Sequence, residues 1–358
     1  MPAYVETMAY AGAAPWHKLG VPVSSDMTPE QMQEAAGLDW RIQRRFLGMR
    51  ASNGGSEIVP VPGYCAIVRD RDSYVYQVAT EAYHPIQNRD VLAFFRDFCA
   101  VGNMTMETAG SLKHGAVVWA LAKMSAGRFT LPGGDSTEAY MLLANSHDSS
   151  MTFQGFTTGI RVVCSNTLSA AVAGRDGAST FFSLKHTRKV TPAFVSGVKT
   201  RVGAAIESMR RLEELAGKLA NARVKDSVHI MEFAARLVQP ALLLPSQQEG
   251  QNKPMLMLTA PGTTPLLSEG KPVGSIPIHW TDLHERARQV VAAVRNSPGA
   301  QLDSSRGTWW GVVNGFTYWA DHQANGDDRD ARLTSAWFGA RAHQKRQAVE
   351  LATQFAAL

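Results

Sequence analysis

With 358 residues, the chain is longer than one hydrophobic core usually organises, so two domains, or one with long appendages, is the expectation. Hydrophobic residues make up 45% and charged residues 19%, which excludes a wholly disordered or highly charged chain. The 36 Lys and Arg against 31 Asp and Glu leave a formal +5, a mild basic excess that admits a polyanionic partner without proving one.

No run reaches the ~18–20 apolar residues of a membrane helix. The stretch Met1 to Gly20 lacks a basic region followed by an apolar one. Cys65, Cys99 and Cys164 form neither a disulfide framework nor a CxxC pair. The expectation is a reduced cytoplasmic protein with no membrane attachment.

In chain order, residues 1–39 read as an extended arm and a first helix. Thr28 is its N-cap, Pro29 suits the first helical position, Gln31 completes a capping box, and the helix ends near Gly37. Residues 40–190 read as an α+β core. Trp40–Arg50 predicts a strand with Trp40, Ile42 and Phe46 on one face, Arg41, Gln43 and Arg45 on the other, and Arg44 breaking the apolar row. Ile58–Asp70 and Tyr74–Thr80 flank Arg71-Asp72-Ser73 as a hairpin. Val91–Val101 predicts a helix capped by Asn88. Strands are expected at Thr105–Ser111, Ala116–Lys123 and Ala139–Ser146, then β residues from Phe153 that turn into a short helix at Ser165.

Residues 191–239 read as a long basic helix region. Apolar residues from Val195 to Leu219 recur at spacings of three and four, predicting a helix of roughly thirty residues. Seven prolines mark 240–280 as a linker or loop. Residues 281–358 read as a helical C-terminal region, with helices at Asp282–Asn296 and Ser335–Leu358. The expected fold is therefore α+β: a twisted antiparallel sheet with packed helices, then a long basic helix and a helical C-terminal region.

Few motifs carry chemistry. Cys164, at a strand end, suits a nucleophile with His147 or His186 as base, but small apolar packing under the junction is the commoner role of such a cysteine. His147-Asp148 and Asp321-His322 admit a divalent metal, yet adjacent strand residues face opposite ways, and a structural role is favoured. No phosphate-binding Gly-rich loop, no GxSxG elbow and no HExxH occurs, so no catalytic residue, metal ligand or cofactor is assigned. Thr308–Trp319 is strongly aromatic and predicts a helix docked on its own domain, with a contact patch as the alternative.

The basic residues say more. Lys185 through Lys225 hold ten Lys or Arg against three Glu, a local +7 that exceeds the whole-chain total. With the arginines of 40–50, two separate elements are placed to line one positive groove for a phosphate backbone. Tyr74, Tyr76 and Phe156 lie near the same β region and suit base stacking. A solvated basic helix face and ordinary sheet tyrosines explain the same residues.

Several stretches resemble a domain-of-unknown-function family, number 932, of phage- and plasmid-associated proteins: Pro15–Gly20, Tyr83–Arg89, Gly159–Leu168, Lys185–Thr187, Thr317–His322 and Phe338-Gly339. That resemblance implies a mobile-element origin and a bacterial cytoplasm, and it brings no catalytic residues. The order of hairpin, helix, antiparallel strands and basic helix also resembles, at fold level, the Redβ, RecT and Erf type of single-strand annealing protein. This second resemblance implies a ring- or filament-forming homo-oligomer that holds single-stranded DNA without hydrolysing nucleotide. Arg41, Arg45, Lys185, Arg188, Lys189, Lys199 and Arg201 would then clamp phosphates, and Tyr74, Tyr76 and Phe156 would stack bases. An enzyme using Cys164 and a host-takeover protein acting through the Trp-rich segment are the alternatives.

Overall fold

A computed structural model describes residues 5–12, 20–50, 58–100, 103–163, 166–169, 180–191, 194, 196–197, 202–239, 273–274, 278–324 and 340–358. The chain divides into two units. The first comprises residues 1–130, 136–213 and 325–333, and the second 131–135, 214–324 and 334–358.

The first unit opens with β1 (Val5–Ala11), β2 (Val21–Val23) and α1 (Pro29–Ala35). At the start of α1, Thr28 Oγ1 accepts from the Gln31 amide at 3.2 Å and Gln31 Oε1 accepts from the Thr28 amide at 2.9 Å. Two orphan donors of the helix end are thereby satisfied, as the Thr-x-x-Gln spacing requires. Then come β3 (Ile42–Arg50), β4 (Ile58–Arg69) and β5 (Val75–Thr80), an antiparallel three-stranded sheet in the order β3-β4-β5. Ser73 takes the left-handed backbone (φ 59°) that closes the β4–β5 turn.

Two short helices follow, α2 (Asn88–Ala93) and α3 (Arg96–Ala100), where the apolar spacing had predicted one. Asn88 is not the cap. Gln87 holds that position, and Asn88 is buried in the first turn with its side chain turned into the core.

The larger sheet adds β6 (Met104–Leu112), β7 (Val117–Met124), β8 (Phe129–Leu131), β9 (Asp135–Ser146), β10 (Phe153–Arg161), β11 (Asn166–Ser169) and β12 (Thr180–Leu184). Its order is β11-β10-β9-β7-β6-β1-β2, with β12 also on β10 and β8 on β9. Strand β1 runs parallel to β2, Ala9 facing Val21, whereas β1–β6, β6–β7, β7–β9, β9–β10, β10–β11 and β10–β12 are antiparallel. Central β7 and the second half of β9 are buried on both faces, which is why they read as near-continuous apolar runs. Helices α1 and α3 pack on β6, and α2 packs on β7. Ser165, where a short helix was expected to start, lies outside the described residues, but Asn166–Ser169 after it pairs with β10 as a strand, Asn166 facing Arg161.

Helix α4 (Val202–Asn221) carries the three-and-four spacing over twenty residues; most of 192–201, where the expected helix begins, lies outside the described residues. Its N-terminal part lies on the sheet where Gly159 leaves space, since a Cβ there would meet Leu212 at 3.0 Å.

The second unit is helical: α5 (Ser227–Val238), α6 (Glu285–Asn296), α7 (Trp309–Tyr318) and α8 (Ala340–Ala356). Helix α5 packs on α6 and α8, and α7 packs on the same two. Trp309 stacks on Phe355 with centroids 4.7 Å apart, and Phe316 meets Phe233 edge-on at 6.1 Å. Buried Asp135 Oδ2 accepts from Ser304 Oγ at 2.6 Å and Trp310 Nε1 at 3.0 Å. The aromatic segment is thus the core of this unit, as its composition predicts, and Ala342, Ala348, Leu351, Ala352 and Phe355 form the buried stripe of α8. The 240–280 stretch lies almost wholly outside the described residues.

Candidate functional site

The loop Glu81–His84, which leaves β5, organises the basic residues of the first unit. On one side the Arg44 guanidinium donates to the Glu81 carbonyl at 2.9 Å. On the other, the His84 amide donates to the His186 carbonyl at 2.6 Å, and Tyr83 stacks on His186 at 4.8 Å and 15°. Lys185, Arg188 and Lys189 stand exposed on the turn around His186, closed by the Arg188 amide donating to Lys185 O at 2.9 Å. Two basic segments far apart in sequence are therefore anchored to the same four residues.

The charges in this region are open. Arg41, Arg44, Arg45, Arg50, Lys185, Arg188 and Lys189 form no ion pair with the described residues. Arg45 is exposed on the outer face of β3, in register with Ala66 and Val78. Arg41 instead lines a cleft of about 310 Å³ with Arg89, Trp40 and the carboxylates of Glu30, Glu34 and Asp39, which offset its field. Further on, Arg210 and Arg211 share Glu207 at 2.8 and 3.3 Å, which holds the Glu207 carboxyl down at about 2. The charge of these two arginines is thereby partly offset in place. Lys199 and Arg201 lie outside the described residues.

The expected stackers are largely occupied. Tyr76 is half-buried between Trp40, His147 and Tyr74, its hydroxyl donating to His114 O at 3.0 Å, and burial pushes that phenol up. Tyr74, at the start of β5, is exposed but leans on Arg69, whose guanidinium carbon lies 5.8 Å from its ring centre. Phe156 is half-buried on β10, in register with Leu142.

The histidines weighed as catalytic bases are structural. His147 is fully buried, bonded to Asn88 at 3.0 Å, and burial drives its imidazole down to about 3. Burial also lowers His186, whose Nε2 donates to Met151 O at 3.3 Å. Cys164 lies outside the described residues. In the second unit, Asp321 is bonded to Lys345 at 2.8 Å. No three His, Cys, Asp or Glu among the described residues cluster as a metal site.

Arg44 breaks the apolar row of Trp40, Ile42 and Phe46 and belongs with the arginines of the expected groove. Phe46 is the residue that the sequence reading leaves out of the site: alternation places it with Trp40 and Ile42, yet it is 66% exposed at a position where β3, β4 and β5 are all paired, opposite Cys65 and Ala79.

Residues 75–355 match the family described as "Domain of unknown function (DUF932)", which covers most of the chain. The chain belongs to that family. Neither the curated proteins nor the solved structures contain a significant match. The fold-level likeness to annealing proteins has no counterpart among these comparisons. Within this DUF932 protein, the matched segment includes both Tyr83–Arg89 and Lys185–Thr187, which meet at the basic loop. No helix among the described residues is long and apolar enough to cross a membrane.

Proposed function

We propose that the protein binds single-stranded DNA and promotes annealing in the recombination or replication of a phage or mobile element. It works in the bacterial cytoplasm as a homo-oligomer, a ring or filament, without nucleotide hydrolysis. The observation that carries this reading is the shared anchoring of Arg44 and the Lys185–Lys189 turn to the loop Glu81–His84. Cations from distant segments gathered without carboxylate partners among the described residues attract a phosphate backbone through counterion release, and affinity falls as salt rises. Lys185, Arg188 and Lys189 on the turn, with Arg45 on the neighbouring strand, are the phosphate contacts, and Arg41 contributes less because of its acidic neighbours.

Fluorescence anisotropy with labelled oligonucleotides tests the reading. Binding should prefer single strands over duplex and weaken steeply with salt. Arg188→Glu with Lys189→Glu should lower affinity at least about tenfold at moderate salt, because two phosphate contacts become repulsive. Micromolar protein that leaves the anisotropy of a single-stranded oligonucleotide unchanged at low salt overturns it.

A further inference from the structure

The pairing of β3 with β4 outlasts that of β4 with β5. Strand β5 runs along β4 only from Tyr64 to Val68, while Gly48, Met49 and Arg50 continue to face Pro60, Val59 and Ile58. Beyond Tyr64 the sheet is a two-stranded ribbon. Met49, Ile58 and Val59 are exposed on it, as is Phe46 at its base. Alternation puts Arg44 and Phe46 on one face; the register with β4 then shifts between Phe46 and Gly48, beyond which Gly48 and Arg50 share a face. The Phe46 ring lies across Gly48: a Cβ built there would stand 2.6 Å from Phe46 Cε1 and closer still to Ile58 Cγ2. The missing side chain at Gly48 leaves room for the edge of the Phe46 ring, with Arg44 before it and Arg50 after it along the strand.

Arg44 and Arg50 are the charged residues of this face and residues 40–50 contain no carboxylate, so the partner it fits is anionic. A polyanion alone does not explain an exposed aromatic ring held over a glycine, whereas a strand of unpaired bases does. We propose that the ribbon face bearing Arg44, Phe46 and Arg50 is the base-stacking platform of the protein, Phe46 taking one base and the two arginines the flanking phosphates. This rests on the single-stranded DNA reading above. Phenylalanine has no donor or acceptor and accepts any base, while bases in a duplex already have both faces covered, so the platform selects for unpaired strands without reading sequence.

The test compares an ordinary single-stranded oligonucleotide with an abasic deoxyribose-phosphate oligomer of equal length. Phe46→Ala should lower affinity for the first about tenfold and leave the second unchanged. Gly48→Ala keeps the aromatic residue but displaces its ring, and should reproduce the loss, while Phe46→Trp should restore binding. Circular dichroism and thermal unfolding verify that each variant is folded, which is expected because Phe46 is exposed. If Phe46→Ala binds the ordinary oligonucleotide as tightly as the parent while Arg188→Glu with Lys189→Glu still weakens it, the platform is refuted and the DNA reading stands. A Phe46→Ala variant that loses its self-association with unchanged DNA affinity also refutes it, assigning the ribbon to contact between copies. No binding by the parent protein removes both.

Discussion

His147 Nε2 lies 3.0 Å from Asn88 Oδ1, tying the end of β9 to the first turn of α2 in the interior of the first unit. The partners of Asn88 fix the proton. Its Nδ2 donates to Leu38 O at 3.2 Å and Trp40 O at 3.3 Å, so Oδ1 must accept and the imidazole must carry its hydrogen on Nε2. His147 Nδ1 is then a bare, buried nitrogen with no hydrogen-bond partner. Adding a proton there would bury a charge without an acceptor, which is why burial holds the group at about 3.

A pH dependence of stability follows from that depressed value. Between about 3 and the usual histidine value near 6.5, the unfolded chain binds a proton that the folded chain refuses. Stability is therefore full above about pH 6.5 and falls as pH drops through this window, by an amount on the order of 4 kcal/mol. His186, also lowered by burial, acts with the same sign. Denaturant unfolding at pH 7.5 and pH 5 should show the loss, and His147→Gln should flatten the slope. A parent protein equally stable at both pH values would count against a neutral buried imidazole.

Arg69 should be among the costliest single residues of the first unit. Its Nη1 donates to both Glu6 oxygens at 2.6 and 2.8 Å, its Nε and Nη2 reach Asp72 at 3.0 and 2.7 Å, and its guanidinium lies over Trp40 at 5.3 Å. This one buried side chain connects β1, the β4–β5 turn and Trp40 in the segment leading into β3. Arg69→Met leaves Glu6 partly buried without its cation, and the expected cost is about 3–5 kcal/mol. Adding Glu6→Gln should recover part of it. A single variant within about 0.5 kcal/mol of the parent would show the network to be solvated in solution.

Glycines at positions 311 and 315 set how closely α7 approaches its surroundings. A Cβ on Gly315 would fall on the Val294 backbone of α6, and one on Gly311 on the Ser305 carbonyl. Backbone cannot swing aside as a side chain does. Gly315→Ala should therefore destabilise the second unit by about 1–3 kcal/mol, although alanine is the better helix former. Thermal unfolding followed by tryptophan fluorescence reads it directly, since Trp309, Trp310 and Trp319 are all buried in this unit. An unchanged or raised midpoint contradicts the close approach.

What could be read from the sequence was what local chemistry decides. Thr28, Pro29 and Gln31 specify a helix start through adjacent atoms, and the Arg71–Ser73 turn closes a hairpin between immediate neighbours. The three-and-four stripe of α8 is equally local. What failed depended on distant partners. Asn88 has the composition of a cap, but two carbonyls and an imidazole from other segments offer it more bonds in the interior. Asn166-Thr167 after a turn suggests a helix start, yet β10 offers a strand edge there. For the site, the basic run from Lys185 was visible as composition. Which of its charges stay open was not, because Glu207 is shared by two arginines one helical turn away, while Lys185, Arg188 and Lys189 meet no carboxylate among the described residues. The exposure of Phe46 was not legible either, because alternation gives the face of a residue but not whether anything covers it.

The end of α7 holds a last testable pair. The helix runs on into one π turn, Trp319–Gln323, whose extra residue is visible in the Ala324 amide donating to Trp319 O at 2.8 Å. This widening lets Asp321 reach Lys345 on α8 at 2.8 Å, with both side chains almost wholly buried. Two opposite charges in the interior offset each other, while either alone keeps its desolvation cost. Lys345→Met should therefore destabilise the second unit by about 3–5 kcal/mol, and Asp321→Asn by a similar amount. The double variant should cost clearly less than the sum of the two. A double-mutant cycle by denaturant unfolding measures the difference, and strict additivity would mean that the two charges do not depend on each other for burial.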